Sequence, residues 1–543
     1  MPDKVFLMGD ADAIKEYVFE TSSLPQIRGG SQLLIECENE VRKCVLSQGG
    51  EEIFCRGGSF LFEVPEEKKD ELQRQIEGIY LGKTLAATVT VISEDKLPQV
   101  LSQPLPTDGW AARLLSAAPP TNADGLATRL DLLSWRLRRA KGQKAVHPFF
   151  EAFPFCQRCQ ACGKRPAVKC VPRRERRGEE EEPELHALCP VCLRRHSKGT
   201  ESGREEVRGS FNLEFHQFLH SSGLSLQAKQ PRDLDEMAEG MGRKYLAFLY
   251  ADGNSIGDLI GKLGSKEELT KFSSTLAHSV RDALFRALVE NCGSRLKDKG
   301  VWPFEIINIG GDDVTLIIQA GYAWQVATAL LSHFERLAVS LKTLPSGASG
   351  ATASCGIAIA SPRYPVRCLE KLAGELLKQA KKLAKADKAS PTSAITFLWL
   401  PNPIVSEEAK PLMDVYHPDN FTELTARPYT LAQAEKLAQL AEQAASWPRS
   451  LRHNWAEALQ HGVQAATNFI HYTMARREEA QRIKFVKWLG ALNEVTSGNG
   501  RASAAIWSLD EEKKCYRTPL LDVLELAELF AMRPGFEPAE EES

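Results

Sequence analysis

Apolar and polar positions along the chain follow one strand–helix–hairpin–helix–strand pattern twice. The first copy has a strand, a helix, a hairpin around Gly57-Gly58 and a closing strand, at 4–9, 12–22, 53–64 and 84–93. The second copy has a strand, a helix, a hairpin, a helix and a strand, at 244–252, 270–290, 304–320, 322–341 and 350–361. This order is typical of a split βαβ, ferredoxin-like unit, so we predict an α+β fold with two such units.

Further stretches complete the predicted domain organisation. A helix at 368–386 and a strand at 393–400 extend the second copy, and a basic amphipathic helix is predicted at 126–144. A Pro- and Ala-rich stretch at 104–127 marks a boundary, and helical patterns dominate from about residue 401. We predict four domains: a first unit at 1–115, a helical linker with a cysteine-rich segment at 116–240, a second unit at 241–400 and a helical C-terminal domain at 401–543.

Composition narrows the class of protein without naming a partner. The 543 residues are 43% hydrophobic and 26% charged, as in soluble globular proteins. The formal net charge of −3 gives no overall basic field for nucleic acid, although a local basic face is compatible with it. The sequence shows neither a run of about 18 apolar residues nor a signal peptide, which predicts a cytoplasmic protein without a membrane span.

Clustered cysteines predict a metal site. Six of the 13 cysteines fall within 156–192, which favours metal binding over disulfides. Four of them form two CxxC pairs separated by 26 residues, Cys159 with Cys162 and Cys189 with Cys192. Because four thiolates suit one tetrahedral ion, we predict a structural Zn²⁺ at these residues.

Two other cysteines leave the ligand set open. Cys156 also forms a CxxC with Cys159, and Cys170 is a spare thiol. Gly163 favours Cys162 as a ligand, because a knuckle needs a permissive backbone after its second cysteine. The charge-block loop at 173–184 accounts for the long spacing between the pairs.

Adjacent aspartates at the tip of the second hairpin are the main candidates for chemistry. Asp312 and Asp313 repel each other, so a plain turn rarely needs both, although Asp also favours turns by propensity. A split βαβ unit brings this tip beside Asp252, which ends the preceding strand. Oxygen ligands suit Mg²⁺ or Mn²⁺, and two such ions can hold the attacking and leaving oxygens of a phosphoryl displacement. We predict Asp252, Asp312 and Asp313 as catalytic, metal-binding residues.

Residues around these aspartates predict a nucleotide site. Small residues after Asp252 let backbone N–H groups approach a phosphate where the next helix begins. The candidate nucleotide-binding residues are Gly253, Asn254, Ser255, Ile256, Gly257, Gly310, Gly311, Lys381 and Lys382. For the two lysines, contact with a triphosphate competes with the interpretation of a solvated helix face.

The first unit lacks an acid at its hairpin tip, which reads Arg56-Gly57-Gly58-Ser59-Phe60. Asp10 and Asp12 end its first strand, but the hairpin offers them no carboxylate partner. We therefore predict that the first unit is non-catalytic and is a structural partner for the second.

These motifs resemble, in their order, those of the large palm-domain subunit of type III CRISPR effector complexes, a relative of nucleotidyl cyclases and polymerases. The similar segments are GDADAIKEYVFETSSLPQIRGGSQLL, FCRGGSFLF, CQACGKRPA, LCPVC, YADGNSIG, IGGDDV, RPYTLAQAEKL and PLLDVLEL. They span nearly the whole chain. The resemblance implies two palm domains, the first degenerate and the second catalytic.

The resemblance also implies an activity. Two ATP molecules would meet between the palms, and the 3′-hydroxyl of one would attack the α-phosphate of the other, releasing pyrophosphate and making cyclic oligoadenylate. Asp252 and Asp312 would hold the metal ions, with Asp313 in support. The implied partners are other type III effector subunits, guide RNA and target RNA, whose binding would start the reaction.

One departure and two alternatives accompany this resemblance. Many family members begin with an HD nuclease domain, but none of the 11 histidines here is followed by Asp, so we expect no HD nuclease. One alternative is a scaffold subunit whose palm no longer turns over, against which the intact aspartates argue. The other is an enzyme that joins AMP to a different nucleophile.

Overall fold

The computed structural model describes most of the chain. The described residues are 4–94, 125–144, 154–172, 185–201, 207–224, 227–297, 300–339, 350–386, 391–402, 404–496, 506–511 and 513–536. The predicted loop at 173–184 and most of the predicted boundary at 104–127 lie outside them. Within these ranges, no helix is both long and apolar enough to cross a membrane.

The first unit is a four-stranded antiparallel sheet covered by helices. Its strands are β1 (Lys4–Asp12), β2 (Glu51–Arg56), β3 (Ser59–Pro65) and β4 (Thr88–Ser93), in the spatial order β2-β3-β1-β4. Its helices are α1 (Ile14–Val18), α2 (Leu24–Ser47) and α3 (Lys69–Thr84). In β2, Ile53 and Cys55 are buried and the residues between and beside them are more exposed, which is the period-two pattern of a half-buried strand.

Helix α4 (Leu126–Gln143) packs on β4 and β1, against the sheet of the first unit. Leu130, Leu133 and Leu137, at helical spacing, form its buried face. Arg129 makes a two-pronged ion pair with Glu94 at 2.6 Å, which fixes the start of the helix beside the end of β4. The predicted helix at 126–144 is thus confirmed, and it covers the first sheet.

The second unit repeats the layout with a larger sheet. Its strands are β7 (Leu246–Gly253), β8 (Phe304–Gly310), β9 (Asp313–Gln319), β10 (Ala353–Ala360) and β11 (Ala394–Trp399), in the order β11-β10-β7-β9-β8, with β13 (Tyr429–Thr430) added beside β11. Its helices are α8 (Ile256–Ile260), α9 (Lys266–Lys297), α10 (Ala320–Val339) and α11 (Val366–Ala384). Strand β10 is buried along its whole length, because α10 and α11 both pack on it.

Corresponding positions confirm the predicted repetition. The order β8-β9-β7-β10 matches β2-β3-β1-β4 strand for strand. After the first strand of each unit, one non-glycine residue has a positive φ, Ala13 at 51° and Ser255 at 53°, and a five-residue helix follows. Such a backbone conformation is uncommon outside glycine, so its occurrence at the same place twice marks a shared local design.

Two element boundaries in the first unit differ from the prediction. The helix predicted at 12–22 is wrong in extent, because β1 continues to Asp12 and the left-handed Ala13 separates the strand from the short α1. The strand predicted at 84–93 begins only at Thr88, since Leu85 has a φ of 63° and ends α3. Left-handed residues without glycine carry no signal in the apolar pattern.

The cysteine-rich segment is built on a small hairpin and three helices. These are β5 (Lys169–Pro172), β6 (Leu185–Leu188), α5 (Pro190–Thr200), α6 (Ser210–Ser221) and α7 (Leu234–Met237). Helix α5 crosses α2 where Gly29 faces Arg195 and Gly199 faces Pro25, and a Cβ at either glycine would overlap a backbone carbonyl oxygen. The two backbones therefore touch, and the segment is fixed to the first unit.

The C-terminal domain is mainly helical, as predicted. Its helices are α12 (Ala409–Met413), α13 (Leu431–Ala445), α14 (Arg449–Leu459), α15 (Val463–Ala475), α16 (Glu479–Thr496) and α17 (Leu520–Ala531), and a small sheet joins β12 (Thr422–Glu423), β15 (Cys515–Arg517) and β14 (Ser508–Asp510). The buried Arg427 lies over the Phe397 ring at 3.6 Å and forms ion pairs with Asp522 and Glu525. This cluster ties the domain to β11 of the second unit.

Candidate active site

The three predicted aspartates come together at one edge of the second sheet. Asp252 is the penultimate residue of β7 and lies opposite Ser354 of β10. Asp313 begins β9, which pairs with β7 so that Val314 faces Ala251. The hairpin between β8 and β9 turns at Gly311, whose φ of 62° suits glycine, and Asp312 completes the turn.

Asp312 reaches across to β7. A Cβ added to Gly253 would lie 2.9 Å from Asp312 Oδ2, so this carboxylate rests directly on the Gly253 backbone. Similarly, a Cβ on Gly310 would meet the Asp313 carboxylate at 2.5 Å. The glycines beside the aspartates therefore have a steric role, because each leaves space that a carboxylate occupies.

Burial and mutual repulsion disturb the titration of the hairpin acids. Burial and the neighbouring Asp252 raise the pKa of Asp312 to about 7. Burial and the carboxylates of Asp312 and Asp252 raise the pKa of Asp313 to about 8, although the Asn308 amide at 3.3 Å and the charge of Lys15 oppose the rise. The protein alone does not neutralise this concentration of negative charge.

Lys381 provides one compensating cation. Its ammonium forms an ion pair with Asp252 and donates a hydrogen bond to the Gly253 carbonyl oxygen at 2.9 Å. Lys382 is the next residue of α11 and is exposed. Of the two predicted lysines, Lys381 is therefore the one at the carboxylates.

The residues of the turn after Asp252 are alternately buried and exposed from Asn254 to Gly257. The Asn254 side chain is buried, donates to Thr352 at 3.0 Å and accepts from Ser354 at 2.9 Å, so its amide holds the turn in place. Ile256 is also buried against Gly253. Ser255 and Gly257 are exposed, which leaves them as the open positions of this turn.

Comparison with known protein families finds a match for the second unit. Residues 245–390 match the family model of the second palm domain of Cas10/Cmr2. This part of the chain is therefore similar to the second palm domain of that family. No curated protein sequence matches it.

Solved structures of similar fold cover nearly the whole chain. A crystal structure of Csm1 in T. onnurineus has a TM-score of 0.54 at 12% identity, with 98% of this chain and 70% of that chain covered. A crystal structure of a Csm1–Csm4 cassette in complex with cA3 has a TM-score of 0.52 at 13% identity, with the same shares covered. At this identity the likeness concerns the fold.

The first unit touches the site at points that sequence reasoning missed. The two hairpin tips meet, since a Cβ on Gly57 would lie 2.8 Å from the Gly310 Cα. The Lys15 ammonium lies over the Tyr250 ring, 3.5 Å from its centroid, and Tyr250 precedes Asp252 by two positions on β7. The sequence signal was present only as a lysine in the short helix α1, which says nothing about the opposite unit.

The first unit has a similar lysine–aspartate pair at the corresponding place, without aspartates at its hairpin tip. Lys141 of α4 forms an ion pair with Asp10 and donates to the Ala11 carbonyl oxygen at 3.1 Å, as Lys381 does with Asp252 and Gly253. At its hairpin tip, Ser59 donates to Asp10 where the second unit has Asp313. Asp10 thus faces a lysine and a hydroxyl, and Asp12 pairs with Lys141 at 3.5 Å and with Lys144 at 2.7 Å, so two lysines balance these two acids.

The predicted cysteine cluster is assembled. The Sγ atoms of Cys159, Cys162, Cys189 and Cys192 all lie within 4.8 Å of one another. Cys189 caps α5, accepting from the Cys192 backbone N–H at 3.4 Å. Cys170 is exposed on β5 and Cys156 is half-buried, and neither belongs to the cluster. The geometry selects the four cysteines of the two predicted pairs as candidate ligands of one ion.

Proposed function

We propose that the second unit is a nucleotidyltransferase that converts ATP into cyclic oligoadenylate. The observation that carries this proposal is the convergence of Asp252, Asp312 and Asp313 beside a glycine-rich turn. Because the site presents carboxylates and open backbone rather than a nucleophilic side chain, it suits positioning and charge stabilisation in phosphoryl transfer. In the reaction, a 3′-hydroxyl oxygen forms a bond to an α-phosphorus while the bond to pyrophosphate breaks.

The donor set fits two Mg²⁺ or Mn²⁺ ions. Three carboxylates carry three negative charges when ionised, and Lys381 is the one ammonium that the described structure places in contact with them. Hard oxygen donors without sulfur or imidazole are the preferred environment of these ions. We assign Asp252 and Asp312 as metal ligands, with Asp313 in support. When bound, such ions stabilise the charge of the attacking and leaving oxygens.

The chain's own residues would hold the nucleotide. The backbone of Ser255 and Gly257 lines the open side of the turn, Gly253 lies buried beneath Asp312, and the Gly310-Gly311 tip keeps space free beside the carboxylates. Lys381 can exchange its ion pair with Asp252 for a phosphate oxygen, since a flexible lysine stem allows both positions. Asn254 and Ile256 would shape the turn from below.

A relative supports the assigned product and the setting. A Csm1 protein of the same fold is seen with Csm4 and with cA3. We infer that this chain also works within a type III effector complex, with guide RNA, target RNA and other type III subunits as partners. We also infer that its four-cysteine cluster holds a structural Zn²⁺, because four thiolates at this spacing leave no open coordination position.

Labelled ATP tests the proposal. The protein, and separately its guide-RNA complex with target RNA, is incubated with labelled ATP and Mg²⁺ or Mn²⁺, and the products are separated. We expect oligoadenylates from the wild type, a loss of at least roughly a hundredfold in Asp312→Asn/Asp313→Asn, and unchanged product from the matched control Asp282→Asn on α9. The absence of product from the assembled, target-bound complex would refute the enzymatic function and favour a scaffold.

A further inference from the structure

Helix α1 of the first unit lies across β7 of the second. The Phe19 ring, directly after the helix, meets the Phe248 ring edge to face, with centroids 5.1 Å apart. One helical turn earlier, the Lys15 ammonium lies over the Tyr250 ring. Phe248, Tyr250 and Asp252 alternate along β7 and therefore share one face of the sheet. The N-terminal end of α1, with Lys15, is therefore the end that lies nearer to Asp252 on this face.

Lys15 has an environment unlike that of a surface lysine. Besides the Tyr250 ring, its ammonium faces Glu370 of α11, with 3.6 Å between Nζ and Oε1. The Glu370 side chain is only 13% exposed and that of Lys15 37% exposed, so the pair is partly withdrawn from water. Burial lowers the pKa of Lys15, while Glu370, Asp313 and Asp252 oppose this with their charges. The ammonium thus belongs to the electrostatic field of the carboxylate site.

Helix α1 is held in this position from its other side. Glu20 forms ion pairs with Arg165, at 2.9 Å, and with the fully buried Arg195, both from the cysteine-rich segment. Arg195 also donates to the Tyr17 carbonyl oxygen at 2.7 Å. The five-residue helix is therefore fixed between the cysteine-rich segment and β7, so Lys15 is presented to the second unit by a rigid support.

We propose that Lys15 completes the nucleotide site of the second unit from the first unit, by binding a phosphate oxygen of the nucleotide held at Asp252, Asp312 and Asp313. This inference rests on the proposed nucleotide-binding function of those aspartates. A triphosphate adds several negative charges to three carboxylates, and Lys381 is the ammonium that the described structure places in contact with those carboxylates. Lys15 offers a second cation, from the first unit, and phosphate would displace Glu370 from that cation.

The competing role for Lys15 is a plain ion pair that joins the two units through Glu370. Two substitutions separate these roles. Lys15→Met removes the charge and keeps the length of the side chain, whereas Glu370→Gln breaks the pair and leaves the ammonium free. If Lys15 binds phosphate, only the first substitution harms nucleotide binding. If the pair is merely structural, both substitutions lower the unfolding temperature together and neither acts on the nucleotide.

Binding of a fluorescent ATP analogue with Mn²⁺ provides the test, measured on the full chain. We expect Lys15→Met to weaken binding by roughly tenfold or more and Lys15→Arg to restore most of it, as for the loss and return of a charge-assisted hydrogen bond. Glu370→Gln should bind the analogue at least as tightly as the wild type, because its carboxylate no longer competes for the ammonium, and the exposed neighbour Glu16→Gln should bind as the wild type does. Binding of Mn²⁺ alone should not weaken in Lys15→Met, since a nearby positive charge is removed.

Each other outcome overturns the inference. Wild-type nucleotide binding in Lys15→Met excludes a phosphate contact, and an equal fall of the unfolding temperature in Lys15→Met and Glu370→Gln then identifies a structural pair. Equal losses of nucleotide affinity in both variants also contradict the inference, because Glu370→Gln keeps the ammonium. The binding measurement also separates this inference from the proposed function. If the wild type makes no oligoadenylate but Lys15→Met still loses the nucleotide, the role of Lys15 stands and the assigned reaction fails.

Discussion

Two positions on the hairpin tips separate the units chemically. Gly58 and Ser59 of the first unit correspond to Asp312 and Asp313 of the second, because the flanking pairs of the two hairpins align. Asp10 and Asp252 otherwise have the same lysine geometry. The two acids on the second tip, where the first has Gly58 and Ser59, therefore contribute to the difference in charge between the units, and the Asp12–Lys144 pair of the first unit adds to it.

The raised pKa values predict a pH-dependent affinity for divalent cations. Asp312, with a pKa of about 7, and Asp313, with a pKa of about 8, must lose protons before they bind a cation. Protons compete below these values, so affinity for Mn²⁺ should be weak at pH 6, rise through pH 7 to 8 and level off above. Free Mn²⁺ measured by electron paramagnetic resonance at each pH gives the affinity.

The double variant Asp312→Asn/Asp313→Asn is the control for this prediction. It keeps Asp252 but removes both groups with raised pKa values, so its weak residual affinity should vary little over the same pH range. An affinity in the wild type that is flat between pH 6 and 8.5 would contradict the assignment of these carboxylates.

At the scale of elements, close backbone contacts fix the cysteine-rich segment. Gly29 of α2 and Gly199 of α5 stand where the two helices touch. Close helix crossings need residues without a side chain, because even one Cβ would separate the backbones. Gly29 and Gly30 of α2 therefore serve different purposes, although they are adjacent in the sequence.

Gly29→Ala and Gly30→Ala form a matched pair that tests this crossing. A Cβ on Gly29 would overlap the Arg195 carbonyl oxygen, whereas on Gly30 it would lie 3.3 Å from the Arg195 Cδ, within a side chain. We expect Gly29→Ala to destabilise the protein by about 1–3 kcal/mol or more, and Gly30→Ala to cost less. Thermal unfolding of both variants measures the difference, and equal melting temperatures would refute the tight crossing.

The cysteine cluster yields a second prediction at this scale. Cys189→Ser should lower the zinc content and the unfolding temperature, because the proposed ion would link α5 to the 159–162 knuckle. Cys170→Ser, at an exposed position outside the cluster, should leave both unchanged. Metal analysis with thermal unfolding checks the pair; a full zinc content in Cys189→Ser would show that the ligand set is wrong.

Elements with strong apolar periodicity were predictable, and those that depend on tertiary contacts were not. Both hairpins, the long helices of the second unit and the helical C-terminal domain follow from the pattern alone. The left-handed Ala13 and Leu85 interrupt the pattern without a glycine, which misplaced two boundaries. The sequence does not reveal that α4 corresponds to α11. Lys141 pairs with Asp10 as Lys381 pairs with Asp252, and this is visible only when the two units are compared in space.

At the scale of the whole molecule, a buried ion pair joins the two units. Arg28 of α2 makes two hydrogen bonds to Glu305 of β8, at 2.6 and 2.7 Å, and both side chains are almost fully buried. Asn212 donates to the same carboxylate at 2.8 Å. The arrangement of the units relative to each other is thereby specified by a polar cluster that water does not reach.

Removing one partner of this pair should be costly. Arg28→Met leaves the Glu305 carboxylate buried without its cation, and we expect a loss of about 3–5 kcal/mol. Lys371→Met, which breaks the exposed pair with Glu407, should change stability by less than about 1 kcal/mol. Urea unfolding compares the two. Adding Glu305→Leu to Arg28→Met should recover part of the loss; no recovery would contradict a buried-charge penalty.

The candidate site was predictable only from within one unit. The proximity of Asp252, Asp312 and Asp313 could be predicted, because the strand order of a split βαβ unit places the second hairpin beside the first strand. Lys15 could not, since its proximity to Tyr250 depends on how two units pack, and local periodicity holds no information about that packing.

The two hairpin tips are in direct backbone contact, at Gly57 of the first unit and Gly310 of the second. Backbone meets backbone there, so no side chain can rotate to absorb a displacement of one half against the other. A side chain added at Gly57 would therefore have to displace Gly310, and with it the turn that carries Asp312 and Asp313.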